Sequence, residues 1–217
     1  MMRTLSKLGA AATLAVMALT AHAEPLTPSE IIKTSTTEVR QDIADNVETY
    51  QNDKDALYAM VEQKIVPIFD TTYVGKVILG RHLKDATDEQ VQQFETAFKD
   101  MLIHTYADKL LEYYDSVDID VKPARIDGKR ANVDITLERN NGKPPIPMTF
   151  SMRQTDGNWK IWDIKAENLS LVLNYRTQMD SEIKRAGIED VIKRLNEGQL
   201  IAEAKSPDAE ADKTDTP

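Results

Sequence analysis

The sequence predicts an α+β fold in which a four-stranded antiparallel meander is covered on one face by helices. Three observations support this prediction. Residues 117–166 alternate apolar and polar side chains, which is typical of strands with one buried face. The dipeptides Asp127-Gly128, Asn141-Gly142 and Asp156-Gly157 interrupt the alternation, and such pairs supply the positive φ angles of tight hairpins. Apolar residues recur at helical spacing on both sides of this region.

Four predicted strands follow one another without a helix between them. Their apolar faces are too hydrophobic to meet water, so the helices must cover one side of the sheet. We expect the last strand, 159–166, to run directly into a helix that begins near Asn168 or Leu169. The apolar positions of the first three strands are Val117, Ile119 and Val121; Val133, Ile135 and Leu137; and Ile146, Met148, Phe150 and Met152.

Helix start signals precede the sheet. Thr27 and Glu30 form a capping box around Pro28, which suits the first helical position, and the predicted helix continues to about Gln51. Asn52-Asp53 restarts the chain as a second helix that ends before Pro67. These signals predict two helices before residue 67.

The next helices have equally clear boundaries. Asp70 or Thr71 caps a helix that Gly80 ends, and 87–90 is a capping box that opens a long amphipathic helix. We expect this long helix, with its apolar stripe from residue 91 to 113, to lie across the sheet. After the sheet, a helix over 169–183 stops at Gly187, and a short helix follows over 188–195.

The ends of the chain differ from this domain in composition. Residues 1–23 have a basic start, an apolar stretch and the small-residue site Ala21-His22-Ala23, which predicts a cleaved export signal. Residues 24–202 then form a single domain, and residues 203–217 are an acidic tail that we predict to be disordered. The chain contains no cysteine, so the exported domain must be stable without disulfides.

Charge and motif content exclude several classes of protein. The net charge of −9 disfavours nucleic-acid binding and stable residence on anionic membranes, so we expect only transient membrane contact. No nucleophile elbow, Walker loop or dinucleotide fingerprint is present, and His82 and His104 lack metal-ligand spacing. We therefore predict no cofactor, no metal and no enzymatic activity. Asp163 is the one candidate acid, although a hydrogen-bonded structural role is favoured for it.

The remaining signal is apolar. Phenylalanine and methionine side chains are concentrated on the predicted interior, and methionine adapts to irregular partners. Composition alone favours an ordinary packed core over a ligand cavity. Arg176, on an otherwise apolar helix, is suited to a phosphate group or equally to a surface ion pair.

A set of residues with a characteristic order and spacing extends over residues 65–195, which is most of the predicted mature chain. The set consists of Trp159, Lys160, Asp163, Glu167, Ser170, Tyr175, Arg176, Gly187, Ile188 and Leu195, with Leu79, Gly80, Phe94, Phe98, Leu102, Thr105, Tyr106, Ala107, Leu110 and Tyr113 upstream. In these residues the chain resembles the MlaC family, also called toluene-tolerance auxiliary proteins. One departure is Arg81-His82-Leu83, where the family often has a tryptophan after Leu79-Gly80.

This resemblance implies a monomeric periplasmic carrier of phospholipid that maintains the lipid asymmetry of the outer membrane. Its implied partners are an outer-membrane lipoprotein–porin complex and an inner-membrane ABC transporter complex. The implied fold is a curved sheet like those of cystatin-like and nuclear-transport-factor-like cones. The resemblance also favours an apolar cavity, and not only a packed core, between the sheet and the helices.

We accordingly expect acyl chains to lie between the sheet and the helices, with the headgroup near Arg176. Two alternatives remain: an adaptor with a filled core, or an enzyme on the same cone with Asp163 and a histidine as acid and base. The expected lipid-binding residues are Val74, Ile78, Phe94, Phe98, Met101, Leu102, Ile135, Met148, Phe150, Met152, Trp162, Ile164 and Leu173.

Overall fold

The computed structural model of the protein describes residues 26–140 and 142–200, and it has the predicted α+β architecture. The predictions for residues 1–23 and 203–217 lie outside the described residues. The helices are α1 (Pro28–Asn52), α2 (Lys54–Lys64), α3 (Thr71–Leu79), α4 (Asp88–Tyr113), α5 (Leu171–Ala186) and α6 (Ile188–Asn196). The strands are β1 (Val117–Val121), β2 (Arg125–Asp127), β3 (Arg130–Arg139), β4 (Ile146–Thr155), β5 (Asn158–Ala166) and β6 (Leu169–Ser170).

The predicted caps define the helix boundaries. The capping boxes at Thr27 and Thr87 are both formed, and the Asp70 side chain accepts a hydrogen bond from the backbone of Tyr73 at the start of α3. Gly80 ends α3 with a φ of 51°, a conformation that favours glycine. Local sequence chemistry therefore determines where most of these helices begin and end.

The sheet is larger than predicted, and α5 begins later. It has six strands in the order β1-β3-β4-β5-β6, with β2 also paired to β3, instead of four. The two additional strands, β2 and β6, are short, and β6 occupies the positions where we expected the helix to start. Ser170 caps α5, whose first residue is Leu171. The four long strands are those that the alternation predicted.

A β-bulge interrupts the pairing of β4 with β5. Met152 is opposite Ile161 and Ser151 is opposite Asp163, so Trp162 is the extra residue. The bulge places Trp162 and Asp163 on the same side of the sheet, and apolar positions continue on the other side at Ile161 and then at Ile164.

The long helix α4 does not occupy the position predicted for it. It packs against α1, α2, α3 and α6, whereas the helices in closest contact with the sheet are α1, α3 and α5. Its apolar residues consequently belong to two helical clusters, one shared with α3, α5 and α6 and the other with α1 and α2. A third cluster consists of the apolar face of the sheet with residues from α1 and the segment before α3.

Candidate functional site: a half-open apolar face of the sheet

The apolar face of the sheet is buried at one end and half-open at the other. At the buried end, Ile32 of α1 belongs to the same apolar cluster as Val133, which is fully buried. At the other end the side chains keep part of their surface accessible although they are large and apolar. The buried end consists of Val121, Ala131, Val133, Ile135, Met152 and Ile161, and the half-open end of Ile119, Leu137, Ile146, Met148, Phe150 and Ile164.

Strand register makes the half-open end a continuous surface. Phe150 pairs with Ile164 on β5, and Met148 pairs with Ile135 on β3 and with Ala166 on β5. Directly opposed residues on antiparallel strands project from the same face about 5 Å apart. No side chain of α4 belongs to the apolar cluster of the sheet within the described region. The sheet and the long helix therefore do not bury these residues against each other.

The same surface continues over the edge of the sheet. Leu169 on β6 pairs with Ala166, so it lies on the apolar face, yet 63% of its surface is exposed. Leu173, one turn into α5, is 54% exposed. Such exposure of leucine beside an already half-open apolar surface is unusual for a packed core, and contiguous apolar patches commonly mark binding sites.

The predicted residues on α3 and α4 belong to a packed core. Phe94 and Phe98 stack with their ring centroids 5.7 Å apart, and Phe98 meets the Tyr175 ring edge-on at 5.1 Å. Phe94 has no accessible surface, and Ile78 and Met101 are also buried. Val74 and Leu102 lie at the border of this cluster and are partly buried.

Trp162 lies apart from the other predicted residues of the sheet. The bulge turns it to the polar face, where its ring meets Tyr73 of α3 edge-on at 5.8 Å. Among the predicted residues, the half-open end thus includes Met148, Phe150 and Ile164, with Leu173 at its edge. Ile135 and Met152 lie on the same face in its buried part.

Four further residues of this surface were absent from the predicted set. One of them, Ile146 on β4, stands opposite Leu137. Ile119 and Leu137 stand opposite each other in β1 and β3, and both were visible in the apolar alternation. Leu169 is missing from the predicted set because the sequence predicts the start of a helix at this position, where the structure has β6.

Asp163 is buried and hydrogen-bonded to the start of α5. Its side chain is 3% exposed, and Oδ1 accepts hydrogen bonds from Ser170 Oγ at 2.9 Å and from the Val172 backbone N–H at 3.2 Å. Both donors lie at the start of α5. The carboxylate therefore anchors that helix to β5, as expected from the hydrogen-bonded interpretation.

Arg176 is exposed and lies against the end of α3. A Cβ atom added to Gly80 would be 2.8 Å from Arg176 Nε, so the glycine leaves room for the guanidinium. No carboxylate forms an ion pair with Arg176 in the described part of the chain, so the surface ion pair that we considered is not formed.

Both histidines of the described region contact neighbouring side chains. His82 Nε2 lies 2.8 Å from Asp180 Oδ1, and the His104 ring packs on Tyr58 with centroids 4.5 Å apart. Within residues 26–140 and 142–200, no group of three or more histidine, aspartate or glutamate side chains could hold a metal ion, and no helix is long and apolar enough to cross a membrane.

Comparisons with known proteins agree with this architecture. The chain is 29% identical to toluene tolerance protein ttg2D of Pseudomonas putida over 192 residues, covering 87% of this chain and 88% of that protein. It is 23% identical to the intermembrane phospholipid transport system binding protein MlaC of Haemophilus influenzae over 173 residues, or 78% and 81% of the two chains.

A solved structure is also similar. The phospholipid-binding protein of Ralstonia solanacearum, determined in complex with a phospholipid, superposes with a TM-score of 0.71 at 28% sequence identity. The match covers 80% of this chain and 97% of that one.

Fold and site together define an α+β protein with a half-open apolar sheet face beside a separate helical core. The MlaC protein family model matches residues 33–197, and the chain belongs to this family.

Proposed function

We propose that this protein is a periplasmic phospholipid carrier whose acyl chains occupy the half-open end of the apolar sheet face. The observation that carries the proposal is the set of large apolar side chains, including Met148, Phe150 and Ile164, that no helix of the described chain fully covers. The relatives named for phospholipid transport and phospholipid binding support the same ligand.

Physical chemistry explains why such a carrier needs this surface. Two acyl chains contain roughly 30 methylenes at about 0.8 kcal/mol each, so a free phospholipid in water is highly unfavourable. An apolar space that matches the bilayer interior makes extraction nearly neutral. The headgroup then remains at the exposed edge near Leu169 and Leu173, and Arg176 follows one turn after Leu173 on the same helix.

Binding, and not catalysis, is the activity proposed. The hydrogen bonds of Asp163 that we describe run to the start of α5, so the carboxylate has a structural task. We further propose that the protein acts as a monomer between an outer-membrane lipoprotein–porin complex and an inner-membrane ABC transporter complex. The name of the Haemophilus relative, an intermembrane transport binding protein, supports this placement.

Native mass spectrometry, followed by solvent extraction of the purified protein, tests the ligand. We expect about one phospholipid per chain. Phe150→Asp should remove it, because a carboxylate cannot share a dry site with acyl chains. Ile164→Trp should displace it by filling the space without adding charge.

The matched control is Ile126→Asp, which adds the same charge at a side chain that is 56% exposed on β2. This control should retain lipid. Circular dichroism establishes that each variant is folded. If the wild type purifies empty and takes no lipid from vesicles, or if folded Phe150→Asp still holds lipid, the proposed site is wrong.

A further inference from the structure

Three positive charges stand side by side on the polar face of the sheet. Arg153 on β4 is directly opposite Arg130 on β3 and directly opposite Lys160 on β5. Side chains paired in this way have Cβ atoms about 5 Å apart, and like charges at that distance destabilise a sheet. Such a row is unexpected in a chain with a net charge of −9.

The protein itself neutralises only part of this row. Arg153 pairs with Asp70 at 3.0 Å and lies 4.0 Å above the centre of the Tyr73 ring. Lys160 donates to the carbonyl of Pro67, which carries no charge. Arg130 is exposed and forms no ion pair with any described carboxylate. An excess of positive charge therefore remains.

Two members of this row, Arg130 and Arg153, line a small cleft. Its volume is about 160 Å³, and its lining consists of Tyr73, Lys129, Arg130, Arg153, Gln154 and Trp162. The aromatic rings of Tyr73 and Trp162 form one wall. Arginine forks and a lysine ammonium are the groups that bind phosphate oxygens in proteins. The cleft is too small for an acyl chain pair or a folded segment, and its size suits one compact anion.

We propose that this cleft is a phosphate-binding site on the face of the sheet opposite the apolar surface. A bound phosphate would relieve the repulsion between Arg130 and Arg153 by accepting hydrogen bonds from both. The phosphate can belong to a lipid headgroup at a bilayer surface or be free in solution, since both offer the same oxygens. The site is separate from the acyl-chain site, so it can be tested whether or not the protein carries lipid.

The experiment compares the whole protein with a Lys129→Gln/Arg130→Gln variant, which removes the positive charges of two exposed side chains. The control, Lys33→Gln/Lys165→Gln, removes two exposed charges elsewhere on the molecule. Sodium phosphate is titrated at constant ionic strength and followed by calorimetry. Co-sedimentation with vesicles of phosphatidylglycerol mixed with phosphatidylcholine measures headgroup binding. We expect the cleft variant to bind either probe about thirtyfold more weakly than the control.

The outcomes separate the two sources. Vesicle binding that phosphate displaces, and that the cleft variant loses, assigns the site to a lipid headgroup. Phosphate binding without vesicle binding, again lost in the cleft variant, assigns it to free phosphate. The proposal is overturned if the wild type binds neither probe, or if cleft and control variants weaken equally, since net charge then explains the effect. Displacement by polyglutamate but not by phosphate would overturn it in favour of an acidic protein partner.

Discussion

Replacing Asp163 by alanine should loosen the attachment of α5 to the sheet. The substitution removes the acceptor for Ser170 Oγ and for the buried N–H of Val172, which lie 2.9 and 3.2 Å from Oδ1. Each hydrogen bond to a charged group contributes about 1.5–3 kcal/mol. Part of this loss is offset, because the alanine variant no longer bears the desolvation cost of a buried carboxylate. We expect the free energy of unfolding to fall by about 3 kcal/mol, which lowers Tm by roughly 6–12 °C in a chain of this size.

Urea denaturation followed by circular dichroism measures this change. Asp163→Asn keeps the Oδ1 acceptor and should lose only about 1 kcal/mol, and Ser170→Ala should lose a similar amount because it also removes the cap of α5. A double-mutant cycle should show that Asp163 and Ser170 are coupled. Asp115→Ala, at an exposed carboxylate, is the control and should stay within about 0.5 kcal/mol of the wild type. If Asp163→Ala is as mild as this control, the anchoring role assigned to the carboxylate is wrong.

Two further substitutions probe the packing of α3. Gly80→Ala should cost about 1–3 kcal/mol, because alanine must adopt a φ of 51° and its Cβ would meet Arg176 Nε at 2.8 Å. Gly80→Ala in an Arg176→Ala background isolates the backbone strain, because the new Cβ then meets no guanidinium, and Gly128→Ala, with a φ of 54° and no neighbour within 4 Å, is a positive-φ control without such a contact. Glu95→Gln should stabilise the protein by about 1 kcal/mol at pH 7, because Glu95 Oε1 is buried without a hydrogen-bond partner and burial raises the pKa of this carboxyl. A raised pKa in the folded state means that stability is lost as pH rises through it, so the advantage of Glu95→Gln should disappear at acid pH. Glu48→Gln, at an exposed carboxylate, is the control for the loss of one negative charge.

Each of these measurements has a clear contrary result. Equal losses from Gly80→Ala in the wild-type and Arg176→Ala backgrounds would show that Arg176 moves aside without penalty. A Glu95→Gln variant that is less stable than the wild type at pH 7 would mean that the charged carboxylate is better satisfied than its buried oxygen indicates.

Elements determined by local chemistry were predictable from the sequence. Capping residues such as Thr27, Thr87 and Asp70 are read from a few neighbouring positions, and so are turn dipeptides such as Asp156-Gly157. The four long strands could be predicted because the alternation of apolar and polar residues can be recognised within the sequence of a single strand. Two short strands were missed, since β6 spans just Leu169–Ser170 and has too few residues to show a period.

The candidate site was less predictable because it depends on long-range placement. Met148, Phe150 and Ile164 were recognised as apolar interior positions, but their partial exposure results from where α4 packs. Phe94 and Phe98 were equally apolar in sequence and belong instead to a filled helical core. The row of Arg130, Arg153 and Lys160 has no sequence signature, because strand register brings together residues 7 to 30 positions apart.

The bulge at Trp162 also sets limits on length changes in β5. Apolar residues occupy odd positions before it, as at Ile161, and even positions after it, as at Ile164. Deleting a residue of the strand interior away from this bulge would shift part of β5 so that core side chains face solvent. Deleting Trp162, or Asp163 beside it on the same side of the sheet, would join the two halves in regular alternation. Positions 162 and 163 are therefore where we expect homologous chains to gain or lose one residue without exchanging the two faces of the sheet.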